Sequence, residues 1–308
     1  MRHQKKRKFK IIKRLILFLF TFFLIWRVLI PFAQGIQRQL MPIPRLSQTG
    51  KPIVSSKGLS SDNAILIQRS DGQILMDKNA DQKIYPASMT KIMTVIIALQ
   101  KFPLPDKRIT LAGDIFEQMG KAGASTAGFR PGEQVRSIDL MYGALLPSGG
   151  ECAVGLAKAV AGSESDFADI MNQQAQKIGM NHTHFVNSTG LHNQEQYSTV
   201  KDIALLLDYA LEDPTFRKIF TAHTYGTSIL DNKQFGGISF SSTVFNGKNN
   251  TYISNGKILG GKSGFTDEAG YCLASLAEVK GQEYILVTAH APQDGNNIED
   301  AVKIYNRL

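Results

Sequence analysis

The stretch Tyr85-Pro-Ala-Ser-Met-Thr-Lys-Ile-Met-Thr94 decides the fold of this chain. Apolar residues recur at helical spacing within and after it, which predicts a buried helix over residues 88–100. Ser88 and Lys91 are three residues apart and therefore project from the same face of that helix. The helix N-terminus adds partial positive charge and free backbone N–H groups beside the hydroxyl. Because burial disfavours an ammonium ion, Lys91 is a candidate base for a Ser88 nucleophile.

The spacing of Ser88 and Lys91 is weak by itself, because two other places in the chain match it. Ser198-Thr-Val-Lys201 and Ser254-Asn-Gly-Lys257 have the same Ser-x-x-Lys pattern, and Ser198 also precedes a helical pattern. A serine that only caps a helix would satisfy the pattern equally well. The hypothesis of a catalytic serine therefore depends on further motifs.

Two further motifs supply that support. Ser148-Gly-Gly150 follows Ser88 by 60 residues and falls in a turn between two predicted helices, where a hydroxyl can project into a cleft. Lys262-Ser-Gly264 ends an apparent strand and offers a cation, a hydroxyl and room for a substrate backbone alongside the strand. The three motifs together, in this order, are specific for active-site serine enzymes that recognise penicillin.

The remaining pattern predicts an α+β fold: an antiparallel sheet of about five strands flanked by helices, with a helical subdomain. Strands from the two ends of this domain must then pair directly with each other, although helices separate them in the sequence. Segments 64–67 and 74–76 predict a hairpin around Asp71-Gly72, and Lys280-Gly281 predicts a tight turn. Further helices are predicted at 138–146, 153–161, 166–178, 200–211 and 298–308, and further strands at 257–263, 272–279 and 284–290.

The charge is concentrated at the N-terminus. The chain of 308 residues has a formal charge of +9, but residues 1–61 hold thirteen basic residues and no acidic one, so the remainder is −4. This distribution argues against nucleic acid as a partner. Basic residues followed by the apolar run from Leu15 to Trp26 favour an uncleaved membrane anchor in residues 1–34 over a cleaved secretory signal. The positive-inside rule then places the rest of the chain outside the cytoplasm, on a single-pass anchor or secreted. Residues 35–60 are predicted to be a spacer, and residues 61–308 the catalytic domain.

With these motifs in place, the chain resembles the D-alanyl-D-alanine carboxypeptidases, the low-molecular-mass penicillin-binding proteins of the β-lactamase and DD-peptidase superfamily. The resemblance covers residues 61–305 and includes the segment from Tyr85 to Thr94. It also rests on Leu140–Pro147, Met171-Asn172, Gly179-Met180, Thr183-His-Phe185, Asn187, Gly190-Leu191, Tyr197-Ser-Thr199 and the segment from Gly261 to Tyr271.

This resemblance implies a role for each matched residue. Ser88 would attack the peptide carbonyl between two D-alanines, Lys91 would take its proton, and Ser148 would relay a proton to the leaving amine. Lys262, Ser263 and Gly264 would form the strand that binds substrate, with the two residues before the glycine holding the terminal carboxylate. The backbone N–H groups of Ser88 and Phe265 would form the oxyanion hole. Peptidoglycan stem peptides are the implied substrates and β-lactams the implied covalent inhibitors, with no metal or cofactor.

Two positions depart from the family pattern. Ser263 stands where the family more often has Thr, which keeps the hydroxyl. Gly150 stands where the family usually has Asn, and a glycine cannot supply that amide to the substrate and the catalytic lysine. Either water or a nearby polar group substitutes, with Glu151 and Asn187 as candidates, or activity is reduced.

Several alternatives remain beside the carboxypeptidase. A D,D-endopeptidase of the same fold would use the same site, and a penicillin-binding protein with weak or no turnover would keep only acylation. A zinc site at His182, His184 and His192 is disfavoured, because no His-Glu-x-x-His helix accompanies these residues. Cys152 and Cys272 each lie in apolar sequence, which predicts burial and leaves their pairing open.

Overall fold

The computed structural model describes residues 13, 21–23, 41–47, 52–102, 106–227 and 237–308. The chain divides into one unit at Met1–Met41 and a second at Pro42–Leu308. Residues 13 and 21–23 are helical, and the rest of the predicted anchor over residues 1–34 lies outside the described residues. Among the residues described, no helix combines the length and the apolar character needed to cross a membrane.

The strands of the second unit are β1 Asn63–Gln68, β2 Ile74–Lys78, β3 Arg108–Thr110, β4 Gln134–Arg136, β5 Thr224–Gly226, β6 Ser239–Ser241, β7 Gly256–Thr266, β8 Gly270–Val279 and β9 Gln282–Ala291. Five of them form an antiparallel sheet in the order β2-β1-β9-β8-β7, as the sequence predicts. Two short two-stranded sheets, β3-β4 and β5-β6, accompany it.

Turn chemistry sets the register of the sheet. Gly72 closes the β1–β2 hairpin with φ of +71°, and a Cβ there would lie 2.0 Å from the carbonyl oxygen of Arg45, so only glycine fits. The β8–β9 turn has positive φ at both Lys280 and Gly281, as a two-residue hairpin turn requires. Both predicted turns are confirmed.

Seven of the eight α-helices described in the second unit lie between β2 and β7 in the chain. A 3-10 turn at Ala87–Thr90 leads directly into the first α-helix. The helices are α1 Lys91–Lys101, α2 Gly113–Lys121, α3 Ser137–Leu145, α4 Gly150–Ala161, α5 Glu164–Ile178, α6 Val200–Leu211, α7 Pro214–Phe220 and α8 Asn296–Tyr305. The predicted helices are all present with ends shifted by up to three residues, whereas α2, α7 and the two short sheets were not predicted.

The centre of the helical part is α1. Its residues from Lys91 to Leu99 are buried, and it contacts α3, α4, α5, α6 and α7. A helix that is apolar on all sides is stable only when neighbours surround it. On the sheet, α6 packs against β1 and β9, and α8 packs against β8 and β9. The 3-10 turn lies against β7, so the start of α1 meets the edge strand of the sheet.

Part of the predicted spacer is hydrogen-bonded to the sheet. Ser47 exchanges backbone hydrogen bonds with Gly72 and Ile74, each of 2.9 Å. The backbone N–H of Val54 donates to the carbonyl oxygen of Leu75 at 2.9 Å, and the Val54 side chain is buried in the core. These described residues of the 35–60 segment therefore lie along the β1–β2 hairpin.

Candidate active site

Ser88 lies in the 3-10 turn, with Lys91 at the first position of α1. The Nζ of Lys91 donates to the Oγ of Ser88 at 2.9 Å and to the carbonyl oxygen of Thr189 at 2.7 Å. Burial lowers the pKa of Lys91 from 10.5 to about 8, although Cys152, Glu151 and Glu164 act in the opposite direction. At pH 7 about a tenth of Lys91 is then neutral, far more than at a pKa of 10.5, and this neutral form can act as a general base.

Ser148 is held in the turn between α3 and α4 in an uncommon backbone conformation. Its φ is +68°, a region that residues with side chains rarely adopt and that is often found at functional sites. The Oγ of Ser148 accepts a 2.9 Å hydrogen bond from the Nζ of Lys262. Lys262 is completely buried, and burial together with the positive charge of Lys91 lowers its pKa well below the usual value.

The edge strand β7 brings the third motif to the start of α1. A Cβ at Gly264 would lie 2.8 Å from the backbone nitrogen of Ser88, so glycine is required for this close approach. The Oγ of Ser263 lies 2.7 Å from the Oγ1 of Thr243. Phe265 is half-exposed and packs against Tyr271, with 4.4 Å between ring centroids. Because β7 is the edge strand of the sheet formed by the described residues, its outer edge can bind an extended peptide.

These residues line one cleft with a volume of about 390 Å³. Its walls include six predicted site residues: Ser88, Lys91, Ser148, Ser263, Gly264 and Phe265. Lys262, the remaining predicted site residue, lies beneath this surface, where its Nζ also donates to the carbonyl oxygen of Ser263 at 2.6 Å. In the described structure, Lys262 therefore influences the cleft through its hydrogen bonds to Ser148 and to the Ser263 backbone.

Gly150 also lines the cleft, and the space for a side chain is already filled. A Cβ at this position would lie 2.6 Å from the Sδ of Met119 and 3.4 Å from the carbonyl oxygen of Ser125. The backbone N–H of Gly150 donates to that same oxygen at 2.7 Å. Met119 thus occupies the space that the side chain of an asparagine at position 150 would need.

Neither proposed substitute for the missing amide is hydrogen-bonded to Lys91. Glu151 is buried, and its Oε1 accepts from the backbone nitrogens of Ala127 and Gly128 at 2.6 and 3.1 Å. Burial raises the pKa of Glu151. Asn187 bonds to the backbone of the loop around Gly190. Both side chains support segments that line the cleft.

None of the histidines and cysteines singled out in the sequence lines the cleft. The Nδ1 of His184 lies 2.6 Å from the carbonyl oxygen of Glu195, and His192 faces Glu268 at 3.5 Å. The described residues contain no group of three or more side chains arranged to hold a metal ion. Cys152 and Cys272 are both buried and free, which confirms their predicted burial.

Sequence reasoning missed several residues that line the cleft. They come from segments with no motif of their own: Thr189, Thr243, Asn246, Lys248, Asn249 and Asp294 in loops, and Asn297 in the first turn of α8. The polar composition of residues 242–251 was the only available signal, and polar composition is equally typical of any surface loop.

Around one cleft, Ser88 is hydrogen-bonded to a buried lysine, and a second serine–lysine pair lies beside an open strand edge. This arrangement defines the class of active-site serine acyl-transfer enzymes. The family model for D-alanyl-D-alanine carboxypeptidases, peptidase family S11, matches residues 51–293. The chain belongs to this family.

Named relatives and solved structures agree with the family. The D-alanyl-D-alanine carboxypeptidase DacF of Bacillus subtilis is 31% identical over 76% of this chain and 59% of its own length. A D-alanyl-D-alanine carboxypeptidase of a Streptomyces strain is 28% identical over 87% and 93% of the two chains. The crystal structure of a Streptomyces DD-transpeptidase superposes with a TM-score of 0.74 at 25% identity, covering 82% of this chain and 98% of that one. The chain thus spans about 59% of the Bacillus relative and nearly all of the Streptomyces proteins.

Proposed function

We propose that this protein is a serine-type D-Ala-D-Ala carboxypeptidase that removes the terminal D-alanine from peptidoglycan stem peptides through an acyl-enzyme. The observation that carries the proposal is the 2.9 Å hydrogen bond between Ser88 and a buried Lys91 whose pKa is lowered to about 8. The names of the relatives support the choice of substrate.

Acylation begins at Ser88. Its Oγ attacks the carbonyl carbon of the penultimate D-alanine, and neutral Lys91 accepts the hydroxyl proton. The negative charge develops on the carbonyl oxygen, where the backbone N–H groups of Ser88 and Phe265 are the expected donors. One such donor is typically worth about 3 kcal/mol in the transition state. The close approach of β7 at Gly264 supports this placement of the two donors.

Ser148 returns the proton in this mechanism. When the tetrahedral intermediate collapses, the C–N bond breaks and the leaving D-alanine amine must gain a proton. The Ser148 hydroxyl supplies it and is reprotonated from Lys91, which holds the proton taken from Ser88. The Nζ of Lys262, at 2.9 Å from the Ser148 Oγ, orients this hydroxyl. Water then attacks the Ser88 ester, which releases the shortened peptide and restores the serine.

The substrate lies along the free edge of β7. Ser263 and Thr243 present adjacent hydroxyls to the cleft, and Lys262 lies directly below Ser263. This group suits a terminal carboxylate, since hydroxyl donors to a charged acceptor form strong hydrogen bonds. β-Lactams enter the same cleft and acylate Ser88, because they present a strained amide and a carboxylate at similar spacing.

The test measures D-alanine released from a pentapeptide that ends in D-Ala-D-Ala. Wild type is expected to release it and Ser88→Ala is not, while Ser254→Ala, in another Ser-x-x-Lys match, serves as control. Equal release by wild type and Ser88→Ala would refute the proposal. Cleavage of a crosslinked dimer in preference to the pentapeptide would indicate the endopeptidase. Penicillin labelling without release of D-alanine would indicate a binding protein with weak turnover.

The localisation we propose is the outer face of the cell membrane, with residues 1–34 as a single-pass anchor. The basic residues before the apolar run from Leu15 to Trp26 support it. The full chain should stay in the membrane fraction after a carbonate wash and be digested by protease added to intact spheroplasts. A variant that lacks residues 1–34 should not be retained. Recovery of a soluble, shortened chain would indicate a cleaved signal instead.

A further inference from the structure

The catalytic lysine depends on a single backbone carbonyl for its orientation. In the described structure the Nζ of Lys91 has two hydrogen-bond acceptors, the Oγ of Ser88 and the carbonyl oxygen of Thr189. A neutral amine has two N–H groups and one lone pair. To take the Ser88 proton, the lone pair must face Ser88, so an N–H must be held elsewhere. Gly150 offers no side chain for this purpose, which leaves the Thr189 carbonyl.

That carbonyl lies in a loop that is pressed against the nucleophile turn. Gly190 has φ of +84°, and a Cβ there would lie 1.8 Å from the carbonyl oxygen of Ala87 and 2.9 Å from the backbone nitrogen of Ser88. A small movement of the loop would therefore displace both the Thr189 carbonyl and the turn that holds Ser88.

Glu164 and Thr94 hold this loop at Ser188, and Asn187 makes the side-chain hydrogen bonds around the Thr189 carbonyl itself. The Oδ1 of Asn187 accepts hydrogen bonds from the backbone nitrogen and Oγ1 of Thr189 at 3.2 and 3.1 Å, and from the backbone nitrogen of Gly190 at 2.8 Å. The Nε2 of Gln196 donates to the same oxygen at 3.1 Å, and the Nδ2 of Asn187 donates to the carbonyl oxygen of Leu191 at 2.9 Å. Asn187 thus fixes residues on both sides of the Thr189 carbonyl.

We propose that Asn187 is a positioning residue for acylation, which acts by holding the Thr189 carbonyl against Lys91 so that the lysine lone pair faces Ser88. The inference rests on the proposed function, because it assumes that Lys91 is the base. It assigns to a loop asparagine the orienting contribution that residue 150, as glycine, cannot make.

The test follows the rate of Ser88 acylation by a fluorescent penicillin as a function of pH, in the full-length protein. Besides Ser88, the charged or titratable groups that act on Lys91 are Glu151 and Cys152 on α4, Glu164 on α5 and Lys262 on β7. All of these stay unchanged in the variants. Asn187→Ala is the test variant, and Asn187→Asp keeps the acceptor oxygen. The matched control is Asn193→Ala, which removes a similar turn hydrogen bond, from the backbone nitrogen of Glu195, in an exposed part of the loop.

Asn187→Ala should lower the plateau rate roughly 100-fold, because misplacement of a catalytic group by about 1 Å costs that much. The pH at half-maximal rate should fall, since the ammonium form of Lys91 loses an acceptor. General loosening would instead admit water and move that pH upward. Asn187→Asp should recover the plateau to within about tenfold and move the half-maximal pH upward through its added negative charge.

Three results would overturn the inference: a plateau for Asn187→Ala within about threefold of wild type, an upward shift of its half-maximal pH, or no recovery in Asn187→Asp. If Asn187→Ala gives no melting transition, Asn187→Asp is compared with wild type instead. A plateau rate within about tenfold of wild type and a higher half-maximal pH would then support the inference, and any other result would overturn it. Wild-type acylation without D-alanine release would refute the proposed function alone. Absence of acylation in wild type would refute both.

Discussion

Replacing Gly150 with the asparagine usual in the family tests how the site has adapted to the glycine. The structure predicts that Gly150→Asn alone disturbs the site, because its Cβ would lie 2.6 Å from the Sδ of Met119 and 3.3 Å from the Cβ of Ala124. Real Cβ atoms essentially never approach a neighbour as closely as 2.6 Å. Met119 is 1% exposed on α2, so its thioether can move only by displacing packed neighbours.

The cost follows from this overlap. Inserting atoms into a packed site typically costs about 1–3 kcal/mol of unfolding free energy, and the rest of the asparagine side chain adds to the displaced volume. Met119→Ala alone leaves a cavity and costs roughly 2–5 kcal/mol. The double variant fills part of that cavity with the asparagine, so it should be more stable than the sum of the single changes by at least about 1 kcal/mol.

Urea denaturation followed by circular dichroism measures these stabilities, and D-alanine release measures activity. Gly150→Asn alone is expected to lose stability without a gain in release, whereas Gly150→Asn with Met119→Ala should release D-alanine faster than Met119→Ala. Stability of Gly150→Asn within roughly 0.5 kcal/mol of wild type, or additive effects in the double variant, would refute the steric reasoning.

Three further predictions concern Lys91 and Gly264. The acylation rate should be half-maximal near pH 8 and reach a plateau at higher pH, because only neutral Lys91 accepts a proton and its pKa is about 8. A half-maximal rate near pH 10.5 would contradict the effect of burial on this pKa. Lys91→Met should abolish penicillin labelling yet raise Tm at neutral pH, since the drop in pKa from 10.5 to about 8 corresponds to roughly 3 kcal/mol of burial cost; an unchanged or lower Tm would contradict this. Gly264→Ala should slow acylation at least roughly tenfold by pushing β7 away from Ser88, while Gly226→Ala, where a Cβ meets nothing within 4 Å, should not.

The fold was largely predictable because most of its elements have clear periodicity and end signals. The apolar stretch after Lys91 identifies α1, and Gly179, with φ of +89°, ends α5 as expected. Helix α2 was missed because Gly113 and Gly120 weaken its pattern. The short strands β3 to β6 have three residues each, too few for an alternation to be recognised.

The site was predictable where motifs exist and unpredictable where it depends on contacts between distant segments. Ser88 and Lys91 meet within one helical turn, whereas the carbonyl that binds Lys91 belongs to Thr189, 98 residues away. The side chain of Met119 beneath Gly150 likewise comes from a helix that the sequence did not indicate. Such contacts are products of tertiary packing, and a single sequence carries no local signal for them.

The most direct test of the central claim, that Lys91 activates Ser88, is mass spectrometry of the protein acylated by benzylpenicillin and then digested. The account predicts one adduct, on the peptide that contains Ser88, with no adduct in Ser88→Ala and none in Lys91→Met over the same time. An adduct on any other residue, or acylation of Lys91→Met at the wild-type rate, would contradict it.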